Sequence, residues 1–178
     1  MKAEQVLELI KTRRSVRKFS DRPVDDELVD MILEAGRWAP SGTNNQPWRF
    51  VVVRDPGLKQ RVAELTKYRR VIEGAALIIP VFIHKPSMYS EVKDRQSLGA
   101  CLQNMLLMAH GLGLGAVWLG EILNRAEDVR GVLGLGEDYE LMAVTALGWP
   151  GGPAASSGRK PIGELILASG RERPEGKE

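Results

Sequence analysis

The sequence predicts an α+β fold, and three observations carry that reading. Apolar residues at helical spacing recur along the chain, and between them lie at least three short runs rich in β-branched residues, at 48–53, 75–83 and 139–147. The helical stretches bracket those runs, the arrangement of an α+β domain. No internal repeat and no linker divides the 178 residues, so residues 1–170 read as one domain. Residues 171–178, RERPEGKE, read as a charged, frayed tail.

Val6, Leu9 and Ile10 share the spacing of a first helix, which runs out in the basic segment 11–18. Pro23 opens a second helix with Leu28, Val29, Ile32 and Leu33 on one face and Asp25, Asp26 and Glu27 near its positive end. It stops at 36–38 and gives way to the turn-rich APSGTNNQP and then the buried strand WRFVVV. Asp55-Pro56-Gly57 turns the chain into a helix over 58–65. The second strand, AALIIPVFI, contains Pro80, which argues for a sheet edge or a bulge there.

The longest helix is expected over 94–110. From Leu98 onward its apolar residues cover nearly the whole circumference, so it should be buried on all sides, in the domain centre or between subunits. Gly111, Gly113 and Gly115 end it. Trp118-Leu119-Gly120 reads as a short apolar link, 125–133 as a helix closed by Gly134, and 139–147 as the third strand. A loop rich in Gly, Pro and Ser over 148–158 leads to a small element at 161–167.

Composition removes several classes of function. A net charge of +2 is too small to imply a nucleic-acid or membrane partner. One cysteine excludes an internal disulfide and suits a reducing compartment, and two histidines cannot build a multi-histidine metal centre. The first residues, MKAEQVLELIKTRR, lack the apolar run of a signal peptide, and no stretch approaches the roughly 18 apolar residues of a membrane span. A cytoplasmic location is the expectation. No GxGxxG follows a strand and no GxxxxGK[ST] occurs, so neither a Rossmann dinucleotide site nor a P-loop is supported.

Three segments could carry chemistry. Arg13-Arg14-Ser15-Val16-Arg17-Lys18 offers paired guanidinium donors to a phosphate or to carbonyl-rich ring edges, and reads as readily as a solvated helix end. Pro40-Ser41-Gly42-Thr43-Asn44-Asn45-Gln46-Pro47-Trp48 packs amides densely between a helix and a strand, suited to gripping a polar ligand or simply to closing a turn. The glycines from Gly111 to Gly120, together with Arg159, could bring backbone and a cation to a ligand; helix capping and a surface charge explain them equally. Cys101 reads as core rather than nucleophile, and His84 and His110 as a surface and a capping residue.

Taken together, RRSVRKF, APSGTNNQPWRFVVV, SLGACLQNMLLMAHGLGLGAVWLGE and GRKPIGEL, in this order, resemble the nitroreductase family of flavoproteins. The resemblance implies a mixed sheet flanked by helices. It also implies an obligate homodimer in which the long central helix packs on its symmetry mate, with two FMN sites at the interface. Carried over by position, Arg13, Arg14, Ser15 and Arg17 contact the flavin, Arg13 and Ser15 at the phosphate end and Arg17 nearer the ring edge. Arg159 joins them on the phosphate, and Pro40, Ser41, Gly42 and Asn44 reach the flavin from the other subunit. Trp118, Leu119 and Gly120 lie along it, with a backbone N–H near Gly120 directed at N5. Arg70 falls on the pyrimidine side.

The implied activity is hydride transfer from NADH or NADPH through FMN to a nitroaromatic, a quinone or a similar electron-poor acceptor, with no catalytic acid or base assigned. An oxygen-using flavin or heterocycle oxidase of the same fold, or a non-enzymatic flavin-binding module, is the alternative. The chain departs from longer relatives in having only Lys85 to Gln96 between the middle strand and the central helix. It also carries Trp118 and Gly120 where many relatives have a proline and an acidic residue, and Ser157 where some have a lysine.

Overall fold

The computed structural model describes residues 2–155 and 158–167; the expected tail and Ser157 lie outside the described residues. Helix α1 spans Ala3–Thr12, and Arg14 folds back to donate to the carbonyls of Lys11 (2.6 Å) and Arg13 (2.9 Å), placing a cation where the helix dipole is negative. None of its residues is buried, although Val6, Leu7 and Ile10 are apolar. Helix α2 is Asp26–Arg37. Pro23 therefore stays outside the helix it was expected to open. Its carbonyl accepts from Trp149 Nε1 at 3.0 Å, and Val24 is drawn into the core in an extended segment ending at the N-cap Asp25.

Strand β1 covers Trp48–Phe50, α3 Pro56–Ala63, α4 Arg69–Gly74 and β2 Leu77–His84. Helix α5 runs Glu91–Gly111, β3 Gly115–Leu119, α6 Ala126–Val132, β4 Tyr139–Gly148 and α7 Ile162–Leu165. The four strands pair antiparallel in the order β1-β2-β4-β3. A parallel bridge of Ser15 with Ala116 at the free edge of β3 makes the sheet mixed.

Both faces of the sheet are covered. On one, Leu77, Ile79, Val81 and Ile83 of β2 meet α2 and α5; on the other, Ile78 and Phe82 meet α3, α4 and α6. Each fully buried Ile or Phe contributes about 1.5–3 kcal/mol of apolar burial. The central helix is buried through Leu98, Cys101, Leu102, Met105, Leu106 and Ala109, while Ala100, Gln103, Asn104 and Leu107 are half-buried.

Pro80 lies in an interior strand, not at an edge. Its carbonyl accepts from Val51 N (3.1 Å), so the donor it lacks would have faced β1. The β1 ladder breaks there and resumes only as the Val53–Ile78 bridge, which is why the WRFVVV strand is shorter than expected. On the β4 side the register shifts one residue on, between Val81 and Phe82, so a bulge does accompany the proline.

Candidate functional site

The basic segment 13–18 is held along the outer edge of β3. Val16 N donates to Ala116 O (3.1 Å) and its side chain is buried, so Ser15 and Arg17 alternate to the opposite side. The approach is close because Gly115 has no side chain: a Cβ there would lie 2.6 Å from Val16 Cγ1.

At the start of this segment Arg13 is half-buried, and its guanidinium is held below its ordinary pKa by burial, then by the charges of Arg159 and Arg14. His110, whose Nε2 lies 2.9 Å from Thr12 Oγ1, is likewise lowered by burial, then by Arg13 and Arg14. Three arginines and an imidazole thus share one field, and the charges that lower the Arg13 pKa are those of Arg159 and Arg14. Folding accumulates cations here, the electrostatic condition for holding a dianion.

Along the same strand, Leu119 is buried, Trp118 is exposed, and Gly120 follows with open space where its Cβ would be. The next residue, Glu121, accepts from Thr66 Oγ1 (2.5 Å) and Lys67 N (3.3 Å), which anchors the α3–α4 connection beside this strand end. Arg70 stands exposed in the first turn of α4, and Arg17 is exposed beside β3.

The loop 39–47 is built under strain. Thr43, Asn44 and Gln46 have φ of 52°, 58° and 45°, left-handed values that non-glycine residues seldom adopt. Ser41 Oγ accepts from Gln46 N (3.1 Å), and Asn45 Nδ2 donates to Ser87 O (2.9 Å) and Asp94 Oδ1 (2.7 Å). Asp94 is fully buried and its other oxygen accepts from Tyr89 N (2.9 Å) and Ser90 N (2.8 Å). Burial acts to raise its pKa, but the bonds from Ser90, Asn45 and Tyr89, with the charge of Lys93, bring it below the ordinary value. Asn45 Oδ1 is buried with no partner. Gly42 packs so tightly under the Tyr89 ring that a Cβ would overlap it.

The structure therefore brings Arg13, Arg14 and Arg159 into one field and sets Ser15 against the strand that carries Trp118, Leu119 and Gly120. Within one chain, Pro40, Ser41, Gly42 and Asn44 belong to a different neighbourhood, the N-terminal half of α5, and Arg70 is joined to neither group by any hydrogen bond or ion pair among the described residues. Sequence reasoning missed Tyr89, Asp94, Thr66 and Glu121, and named Asn45 only as part of the amide-rich loop; their partners are mostly distant in the chain. A carboxylate four residues after Ser90, at the start of a helix, was the one local signal for Asp94. No group of three or more His, Cys, Asp or Glu able to hold a metal occurs among the described residues.

The fold and this strand-edge arrangement define a class, a mixed sheet between helices with a cationic edge. A sequence model described as the nitroreductase family matches residues 10–69 and 63–149. The chain belongs to that family. It is 38% identical over 150 residues to an Archaeoglobus fulgidus protein named as a NADH dehydrogenase/NAD(P)H nitroreductase, covering 83% of this chain and 86% of that one. It is 30% identical to the NADPH-flavin oxidoreductase of Vibrio harveyi, covering 81% of this chain and 65% of that one. Among solved structures it is similar to a Desulfovibrio desulfuricans protein described as a nitroreductase in complex with FMN, with 49% identity, a TM-score of 0.89, and 92% and 96% of the two chains covered.

Proposed function

We propose that this chain is an FMN-dependent, NAD(P)H-using oxidoreductase that works as a homodimer and passes reducing equivalents to nitroaromatic, quinone or similar acceptors. The observation that carries the reading is the convergence of Arg13, Arg14 and Arg159 at the start of the segment bridged to β3, a strand whose end is left open at Gly120. The residues present fit FMN: a cationic cluster for its phosphate and, at Gly120, backbone that a flat ring can approach. The FMN complex of the Desulfovibrio desulfuricans relative and the flavin oxidoreductase name of the Vibrio harveyi relative support the same cofactor.

In this reading Arg13, Ser15 and Arg159 hold the phosphate and Arg14 contacts the flavin beside them. Arg17 and Arg70 turn positive charge toward the ring, where negative charge develops on reduction. Trp118, Leu119 and Gly120 lie along it, and Pro40, Ser41, Gly42 and Asn44 reach it from the second subunit. Bound there, FMN supplies the two-electron hydride chemistry. No side chain is assigned as acid or base; water supplies the proton. For a nitroaromatic the sum is NAD(P)H + H⁺ + Ar–NO₂ → NAD(P)⁺ + Ar–NO + H₂O.

Two exposed apolar surfaces support the dimer: Val6, Leu7 and Ile10 on α1, and Ile162, Leu165 and Leu167 around α7, of which Leu167 is 93% exposed. Arg159→Ala tests the site. Loss of one charged donor should raise the Kd for FMN about 10- to 100-fold in a fluorescence titration, with nitroaromatic turnover recovered at excess FMN. An unchanged Kd would remove Arg159 from the phosphate site.

A further inference from the structure

His110 lies in the last turn of α5, against the end of α1 from which the basic segment departs. Two contacts hold the helix ends together there. The Nε2 of His110 is 2.9 Å from Thr12 Oγ1, and a Cβ on Gly111 would lie 3.6 Å from Leu9 Cδ1.

The proton of Thr12 decides which imidazole nitrogen carries hydrogen. A hydroxyl has one proton to donate, and Thr12 directs its own to Glu8 O at 2.7 Å, with Leu9 O a distant second at 3.5 Å. Thr12 Oγ1 therefore accepts from Nε2–H of His110, and the neutral ring keeps its lone pair on Nδ1. Nδ1 has no hydrogen-bond partner among the described residues. A proton gained by His110 is gained at that atom.

Burial disfavours the charged ring, and the charges of Arg13 and Arg14 disfavour it further. The other ionisable groups on the elements that meet here are Glu8 and Lys11 on α1, and Arg159, whose charge acts on Arg13. From Leu98 to Gly111, α5 carries no charged side chain besides His110 itself. The arginines thus act on the imidazole through space. A phosphate dianion held by Arg13 and Arg159 acts within the same field with the opposite sign.

We propose that His110 is a further, proton-linked cation of the phosphate site: neutral in the flavin-free protein at neutral pH, it takes up a proton from solvent at Nδ1 when the phosphate dianion binds beside Arg13. The inference rests on the flavin reading for the identity of the ligand, while the proton linkage holds for any phosphate bound there. The imidazolium favours the phosphate by as much as the phosphate favours the imidazolium. The site should therefore hold FMN more tightly as pH falls through the range in which His110 titrates.

The test follows the imidazole Cε1–H signal of His110 by NMR across pH, in the full-length protein free of flavin, with FMN, and with riboflavin, which lacks the phosphate. His84 is the other histidine of the chain, so His110→Gln assigns the two signals. The midpoint should lie below 6.5 without flavin or with riboflavin, and above 6.5 with FMN. Gln keeps an N–H for Thr12 but cannot be charged. In fluorescence titrations, the wild-type advantage over His110→Gln in FMN affinity should grow about five- to tenfold from about pH 8 to about pH 6. Ionisation of the FMN phosphate is common to both proteins and cancels in that ratio, and a merely structural role for His110 would leave the ratio flat. A midpoint that FMN leaves in place, a rise that riboflavin produces equally, or a ratio independent of pH overturns the proposal and keeps the flavin reading. If no FMN binds, the flavin reading fails and inorganic phosphate decides: a His110 midpoint raised by phosphate upholds the linkage, and an unmoved one overturns it.

Discussion

Arg13 illustrates how a residue type visible in sequence acquires a role only through distant neighbours. Its basic character is plain in RRSVRK, but the charge of Arg159 that bears on it arrives from the far end of the chain. Asp94 is the opposite case: its spacing from Ser90 hints only at a helix cap, and the partner that marks a buried carboxylate, Asn45, lies 49 residues away. Asp94 also gives the fold a pH dependence whose sign follows from its depressed pKa. The folded state binds fewer protons than the unfolded one, so the stabilisation is complete above the ordinary value of 3.8 and is lost as pH falls through the lower folded value. Urea midpoints measured from neutral pH down to acid should fall more steeply in the wild type than in Asp94→Asn across that window. Parallel curves would show that Asp94 contributes no such linkage.

At the scale of elements, the amphipathic helices and the 48–53, 75–83 and 139–147 strands were legible, because periodicity and β-branched content are local properties. Strand β3 was not. In its five residues, GAVWL, Gly115 read as a helix terminator and Trp118-Leu119 as part of a link; pairing with β4 and the bridge from Ser15 are what make them a strand. Pro80 misled the reading in part, since only the direction of its missing donor reveals that an interior position can tolerate it. The same edge couples packing to function. Gly115→Ala would push a methyl against Val16 and displace the segment bearing Ser15 and Arg17. It should cost about 1–3 kcal/mol, read as a lower Tm, and weaken FMN retention together with it. A variant with lower Tm and undiminished flavin affinity would uncouple β3 packing from the site.

For the molecule as a whole, the sequence pointed to a helix with too little polar surface for one chain, and the structure adds two further apolar surfaces on α1 and around α7. The division of the site follows. The cationic edge of β3 and the loop 40–44 lie in separate neighbourhoods of one chain, as expected if each flavin is completed by two chains. Leu7→Glu combined with Ile10→Glu should shift the protein toward monomer in light scattering and release FMN with it; a flavin-loaded monomer would show that one chain suffices. The central claim, an FMN enzyme reduced by nicotinamide, is tested most directly by the visible spectrum of the purified protein under strict anaerobiosis as NADH, and then NADPH, is added. The account predicts flavin bands that bleach with at least one donor. A colourless protein that takes up no added FMN, or a yellow one that neither donor bleaches, would contradict it.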